Sequence, residues 1–296
     1  MTTSRMHADQ VRIDAALVRR LVDRQFPRWA GLALRPVRSA GTVNAIYRLG
    51  DELAVRLPLV PSWAGGLERE LEWLPRLAGA GLPLAIPEPV AAGTPVAEYP
   101  LPWAVYRWLP GAPPAAGELA DDVGAAARLA EFVRALRSVS VSGDPPSGHG
   151  VRPLADDDDE VRAAIAALAG ELDPAAAAAV WAEALAAEIW DGRRVWVHGD
   201  LLPANLLIRD GSLIAVLDFG TAGTGDGAYD LLPAWSLFTG AAARSAFRRE
   251  LAPDPAACAR SRGYALAKGL FALPYYRETN PAFAALARRL IDAALA

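Results

Sequence analysis

Apolar positions first recur along the chain with a helical spacing. Leu17, Leu21 and Val22 share one face of a segment that Asp14 can cap, with Ile13 and Val18 placed as a hydrophobic staple. Pro27 ends that helix. The period then shortens to that of extended chain. Leu34–Ser39, Val43–Leu49 and Leu53–Leu57 read as short strands, and Gly50-Asp51 is the turn signal of a hairpin between the last two. A helical stripe returns at Leu67, Leu71, Leu74 and Leu77. The proline-rich stretch Pro83–Pro102 follows, in which Glu88-Pro89-Val90 leads into a strand, and then comes the aromatic strand Trp103–Leu109.

Pro110-Gly111, with Pro113 and Pro114 just beyond, breaks the pattern and marks a boundary between two lobes. After it the chain reads as helical: Leu119–Val139, then Asp156–Leu168 behind the loop Gly143–Pro153. A third helix has Asp173 as N-cap and Pro174 in its first turn and runs to near Gly192. The alanine run inside it is low in complexity, yet alanine is the best helix former. Four strands' worth of sheet followed by helices predicts an α+β layering, not an alternating parallel sheet. No repeat of fixed period stands out.

Composition narrows the picture. The chain has 296 residues, 53% apolar and 22% charged, enough for one large core or two smaller ones. Its formal net charge of −4 argues against a broad nucleic-acid surface. Cys258 is the sole cysteine, so no intrachain disulfide and no cysteine zinc site can form, which fits the cytoplasm. The first ten residues lack the apolar core of a secretory signal. The most apolar stretch, Ala175–Trp190, is interrupted by Glu183 and Glu188 and is too short and too charged to span a bilayer. Of 30 basic residues only Lys268 is a lysine. A role usually filled by lysine must therefore fall to arginine or go unfilled.

The chemistry concentrates in Val195–Gly220. Leu206–Arg209 and Leu213–Asp218 read as two strands joined through Asp210-Gly211. A loop with His198, Asp200 and Asn205 precedes this hairpin, and Asp218-Phe219-Gly220 follows it, so a tight turn brings Asp200, Asn205 and Asp218 to one end. Phosphoryl transfer needs a carboxylate to orient the attacking hydroxyl and accept its proton, together with hard oxygen ligands for magnesium. Asp200 suits the first task; Asn205 and Asp218 suit the second. The spacing His198-Gly199-Asp200-Leu201, three residues, Asn205, then Asp218-Phe219-Gly220 parallels the kinase catalytic signature.

In this form the segment resembles the aminoglycoside phosphotransferases and their relatives, as does its continuation Thr224-Gly225-Asp226-Gly227-Ala228-Tyr229-Asp230-Leu231. The similarity runs back through Ser39-Ala40-Gly41-Thr42-Val43-Asn44, the strand Ala54-Val55-Arg56-Leu57-Pro58 and the helix with Glu68-Arg69-Glu70. The resemblance implies a bilobal protein-kinase-like fold: a small N-lobe, residues 1–106, with an antiparallel sheet and one helix; a hinge at 107–111; and a larger, mainly helical C-lobe, 112–296. It implies a small-molecule kinase that uses Mg2+ and ATP or GTP to phosphorylate a hydroxylated acceptor, an antibiotic and first of all an aminoglycoside. By position, Asp200 resembles the catalytic base, and Asn205 and Asp218 the magnesium ligands. Gly41, Thr42 and Asn44 occupy the nucleotide loop. Arg56 stands where kinases place the lysine that touches the α- and β-phosphates, with Glu70 as its helix partner. Arg107 and Trp108 belong to the hinge that would hold the base, and Asp230 looks like an acid that supports the catalytic loop.

Two departures matter. Arg56 replaces lysine, and a planar guanidinium docks phosphate differently from an ammonium. Gly199 replaces the arginine of His-Arg-Asp, so no loop arginine can read an activation-loop phosphate, and the enzyme should be on by default. Simpler readings stand beside these. His198 reads as structural, bonding backbone near Asp218; Trp103, Tyr106 and Trp108 read as core more than as ligand contacts. The acidic run from Asp156 to Glu160 is most simply a solvated helix start; Asp156 and Asp159 are also candidates for a clamp on a cationic acceptor. Tyr275, with Tyr276 and Arg277, is a candidate for the acceptor pocket wall. The rivals are a phosphotransferase for a macrolide, nucleoside antibiotic or other metabolite, and a nucleotide-binding pseudokinase. A protein kinase is disfavoured because no Ala-Pro-Glu segment follows Gly220.

Overall fold

The computed structural model describes residues 11–37, 43–141, 143, 145–147, 153–190 and 192–296. The first helix, α1 (Ala15–Gln25), starts where Asp14 accepts from the Leu17 N–H at 2.8 Å, and it buries Leu17, Val18, Leu21 and Val22. Five antiparallel strands follow: β1 (Leu34–Val37), β2 (Asn44–Leu49), β3 (Leu53–Pro58), β4 (Pro89–Gly93) and β5 (Trp103–Arg107), in the order β1-β2-β3-β5-β4. All five fall on segments whose pattern reads as extended, and the proline-led β4 pairs at the sheet edge, where a missing N–H costs least. Between β3 and β4 lies helix α2 (Ala64–Ala78).

The remaining chain is mainly helical: α3 (Val123–Ser138), α4 (Asp158–Ala167), α5 (Pro174–Ala186), the short α6 (Pro233–Ser236), α7 (Ala241–Leu251), α8 (Pro255–Tyr276) and α9 (Pro281–Leu295). Set among them are β6 (Val195–Val197), which pairs with β9 (Gly223–Gly225), and the hairpin β7 (Leu206–Arg209) and β8 (Ser212–Val216). Three helix ends depart from the pattern-based reading. α3 starts at Val123 because Asp122 caps it, accepting from Ala125 N–H at 2.8 Å. A short 3-10 turn, Leu154–Asp157, precedes α4. α5 stops at Ala186 instead of near Gly192, and the turned chain presents the Glu188 carbonyl to Arg260 at 2.7 Å. Local propensity would have continued the helix; a tertiary contact ends it.

Two apolar cores form. One packs α1 against Tyr47, Leu49, Val55, Leu57, Trp103 and Val105 on one face of the sheet. The larger joins the helices and reaches back through Leu67, Trp73, Leu74 and Leu77 of α2 to Ala104 and Tyr106 of β5. Strand alternation makes this division: residues of odd number on β3 and β5 face α1, and those of even number face the cleft. The hairpin β7–β8 is stitched to the connecting segments on both sides. Ala85 pairs with Ile214 and Val216, and Ala112 exchanges both backbone bonds with Ile208 at 3.0 and 2.8 Å. Gly111 has φ 154°, and a Cβ there would meet the Ile208 carbonyl at 3.0 Å, so this approach requires glycine.

Candidate active site

The hairpin turn forms as its sequence predicts, with Asp210 and Gly211 both at positive φ, 52° and 71°. Its open end carries the chemistry. The Leu217 N–H donates to the Asn205 carbonyl at 2.7 Å, which ties the residue before Asp218 to the loop that holds Asn205. Asn205 Nδ2 donates to the Asp200 carbonyl at 2.9 Å and to Asp200 Oδ2 at 2.7 Å. With Nδ2 turned to Asp200, the Asn205 Oδ1 remains as a neutral oxygen donor on the other arm of the amide. Asp218 adopts the left-handed conformation, φ 61°, a strained one for a residue with a Cβ.

The loop is built from beneath by buried groups. Asp230, 1% exposed, accepts from the His198 N–H at 2.7 Å and the Gly199 N–H at 2.9 Å. Gly199 takes φ 79°, which its lack of a Cβ permits. His198 Nδ1 accepts from the Asp200 N–H at 3.2 Å, so Nε2 carries the proton and donates to the Leu217 carbonyl at 2.9 Å. The structural reading of His198 and the supporting position of Asp230 both match this geometry. Phe219 packs its edge against the His198 ring, with centroids 4.6 Å apart, and anchors the segment after Asp218.

From the sheet side, Arg56 points into the same cleft. Its Nη1 donates to both Glu70 oxygens, at 2.8 and 2.6 Å, and its Nη2 reaches Asp218 Oδ1 at 2.7 Å. Asn44, with its amide oxygen toward the guanidinium, accepts from Nε and Nη2, each at 2.9 Å. Glu70 sits on the apolar stripe of α2, fully buried, and also accepts from the Tyr106 hydroxyl at 2.7 Å. A carboxylate at a core position is sustained only by such partners. Burial opposes the charge on Arg56, but Asp218 and Glu70 more than offset it and hold its pKa above the usual arginine value.

The feature that the sequence reading missed is Lys268. Its Nζ donates to Asp200 Oδ1 at 2.7 Å, from α8. Burial would raise the Asp200 pKa, yet Lys268, followed by His198 and Asn205, leaves it below the ordinary carboxylate value. Burial would likewise discharge Lys268, and Asp200 keeps it above the usual lysine value. The one lysine among 30 basic residues was the available signal; no motif connects position 268 to position 200.

The remaining candidates divide. Asn44, Arg56, Tyr106, Arg107, Trp108, Asn205 and Asp218 line one cleft between sheet and hairpin, with apolar walls from Val43, Ala54 and Leu207. The Arg107 and Trp108 N–H groups already donate to the Glu88 and Glu52 carbonyls, at 2.9 and 2.7 Å. Gly41 and Thr42 lie outside the described residues. Asp156 and Asp159 are exposed at the start of α4, and Asp157 is the member of that run whose charge acts on the Tyr229 hydroxyl. Tyr275 is 57% exposed on α8, seven residues beyond Lys268. Among the described residues no group of three His, Cys, Asp or Glu side chains could hold a metal alone. The pair Asn205 and Asp218 nevertheless fits a magnesium ion that arrives on nucleotide phosphates, since that ion takes few protein ligands and prefers hard oxygens. Among the same residues no helix is long and apolar enough to cross a membrane.

Sheet, hinge and catalytic hairpin together define a two-lobed phosphoryl-transfer enzyme. The sequence model of the phosphotransferase enzyme family matches residues 34–264, and the chain belongs to that family. No curated protein matches the chain. Among solved structures, the GDP and kanamycin complex of APH(2″)-IIIa is similar at 20% identity and TM-score 0.71, over 94% of this chain and 98% of that one. The GDP complex of wild-type aminoglycoside 2′-phosphotransferase-IIIa is similar at 18% identity and TM-score 0.72, over 96% and 99%. The macrolide 2′-phosphotransferase MphH from Brachybacterium faecium, as apoenzyme, is similar at 26% identity and TM-score 0.62, over 94% and 97%. The expected kinase-like α+β fold is thus the observed one.

Proposed function

We propose that this chain transfers the γ-phosphoryl group of ATP or GTP to a hydroxyl of an antibiotic, and that it does so in the cytoplasm as a means of resistance or self-protection. The observation that carries the reading is the convergence of Asp200, Asn205 and Asp218 at one end of a hairpin, with Asp200 and Asn205 in direct contact at 2.7 Å. In this reading Asp200 orients the acceptor hydroxyl and takes its proton. Asn205 Oδ1 and Asp218 hold magnesium, which when bound neutralises the phosphate charge that builds up during transfer. Arg56, held by Glu70, binds the α- and β-phosphates, and the apolar cleft beside the hinge receives the base.

The first acceptor class to test is the aminoglycosides. A specific observation favours a second class, an acceptor with a large apolar body and little positive charge, as macrolides have. Acids of the helical half are engaged by arginines of the same chain: Asp158 by Arg162, Asp226 by Arg260, Glu171 by Arg277 and Arg288, and Glu183 by Arg262. On α8, Phe271 and Tyr275 follow Lys268 at helical spacing and are exposed, which sets two aromatic rings on the helix face that carries Lys268. Mass spectrometry of the protein with magnesium, ATP or GTP, and a panel of aminoglycosides, macrolides and nucleoside antibiotics decides. A phosphorylated product that Asp200→Ala does not form supports the reading and names the acceptor class. Nucleotide binding without any product would instead support a pseudokinase.

A further inference from the structure

Lysine occurs once in a chain that otherwise uses arginine for its basic positions, and the structure sets that one ammonium against the proposed base. The Lys268 side chain is 19% exposed and contacts Asp200 Oδ1, while Asn205 Nδ2 contacts Oδ2. Two donors on opposite oxygens prevent the carboxylate from rotating unless one bond breaks. Besides Asp200, Tyr229 and Tyr276 face the ammonium, and Tyr229 is itself packed on Tyr264 at 4.9 Å.

The choice of lysine has a chemical reason. A carboxylate oxygen has two lone pairs, and a single N–H from an ammonium leaves the second one open. A guanidinium would dock its planar fork across both oxygens and leave less room for a third donor. We propose that Lys268 is a positioning residue for phosphoryl transfer: together with Asn205 it fixes the Asp200 carboxylate so that an open lone pair meets the acceptor hydroxyl. This rests on the phosphotransfer reading above. In the step, the hydroxyl proton passes to Asp200 and leaves from there to solvent. The hydroxyl oxygen bonds to the γ-phosphorus, and the bond from that phosphorus to the bridging oxygen breaks, releasing nucleoside diphosphate. Lys268 remains protonated throughout.

The test is steady-state kinetics of the full chain with magnesium, nucleotide and whichever of kanamycin or erythromycin the wild type phosphorylates. Lys268→Gln should lose roughly 10²-fold in kcat, the scale of a misplaced catalytic group, with the nucleotide KM unchanged. Lys268→Arg keeps the charge and should still fall; full activity in either variant would overturn the proposal. A second readout holds even if the variants fold poorly. Labelling with [15Nζ]lysine gives one side-chain signal, because the chain has one lysine. That signal should move when the acceptor binds the wild-type protein, and a signal unmoved at saturating acceptor would overturn the positioning role. A wild type that binds nucleotide yet phosphorylates no member of the panel of aminoglycosides, macrolides and nucleoside antibiotics would overturn the phosphotransfer reading itself, and Lys268's role with it.

Discussion

Arg56 and Asp218 lie 162 residues apart and are joined by one ion pair, Nη2 to Oδ1 at 2.7 Å. The guanidinium is thereby shared between Asp218 and the buried Glu70, whose carboxylate accepts from Arg56 and the Tyr106 hydroxyl. Removing the cation leaves the fully buried Glu70 carboxylate without its charge partner. Arg56→Met should cost about 3–5 kcal/mol, the usual penalty for breaking a buried pair from one side. The double variant Arg56→Met with Glu70→Met should recover much of that loss, because no buried charge remains. Urea midpoints of the two singles and the double measure it; equal losses in Arg56→Met and the double would show that the pair is not what matters.

Asp218 faces two partners in turn. Its Oδ1 meets Arg56 Nη2 at 2.7 Å, and in the proposed complex its carboxylate binds magnesium while Arg56 reaches phosphate. Asp218→Asn keeps an oxygen donor but removes the charge. The magnesium concentration for half-maximal activity should rise by roughly 10–100-fold, equivalent to about 1.4–2.8 kcal/mol, while the acceptor KM changes little. A magnesium titration of both proteins checks this, and a rise confined to the acceptor KM would remove Asp218 from the metal site.

Much of this arrangement was legible in the residues because it rests on local signals. Asp210-Gly211 can only make a tight turn of one hand, so Asn205 and Asp218 had to meet. Glu70 was placed as Arg56's helix partner by the family resemblance, and its full burial came only with the structure. Lys268 was not legible, because its contact depends on how α8 packs against the catalytic loop, and no periodicity encodes that. The same holds for the early end of α5, where Arg260 meets the Glu188 carbonyl. The resemblance gave the hinge backbone to the base, and only the register of β5 with its neighbours shows the Arg107 and Trp108 N–H groups in use.

Alkaline pH should weaken the fold before it affects the chemistry. Burial raises the pKa of Tyr47, Tyr99, Tyr106, Tyr229 and Tyr264 above the ordinary 10.0. Between that value and their folded-state values the native chain keeps protons that the unfolded chain releases. The unfolded state then binds fewer protons, so stability falls as pH rises past 10. Tyr99, whose hydroxyl donates to the Pro58 carbonyl at 2.7 Å, contributes to this slope. Urea midpoints from pH 8 to 11 should drop steeply above about 10 for the wild type and less steeply for Tyr99→Phe, in line with linkage. Identical pH profiles would exclude Tyr99 as a source.

Asp230 makes the sharpest test of how the catalytic loop is held. Its two oxygens accept the His198 and Gly199 N–H groups inside the protein. Asp230→Ala orphans both donors, at roughly 1–3 kcal/mol for each. Asp230→Asn retains one acceptor but turns an amide NH2 against the other N–H, so it should be nearly as damaging. Because Asp200 follows directly on these two residues, kcat should fall in both variants even at temperatures where the protein stays folded. Thermal midpoints and kcat measured together separate the two effects. A variant with a lowered midpoint but wild-type kcat would mean that the contacts of His198, Asn205 and Lys268 keep the loop in shape, and that Asp230 serves stability only.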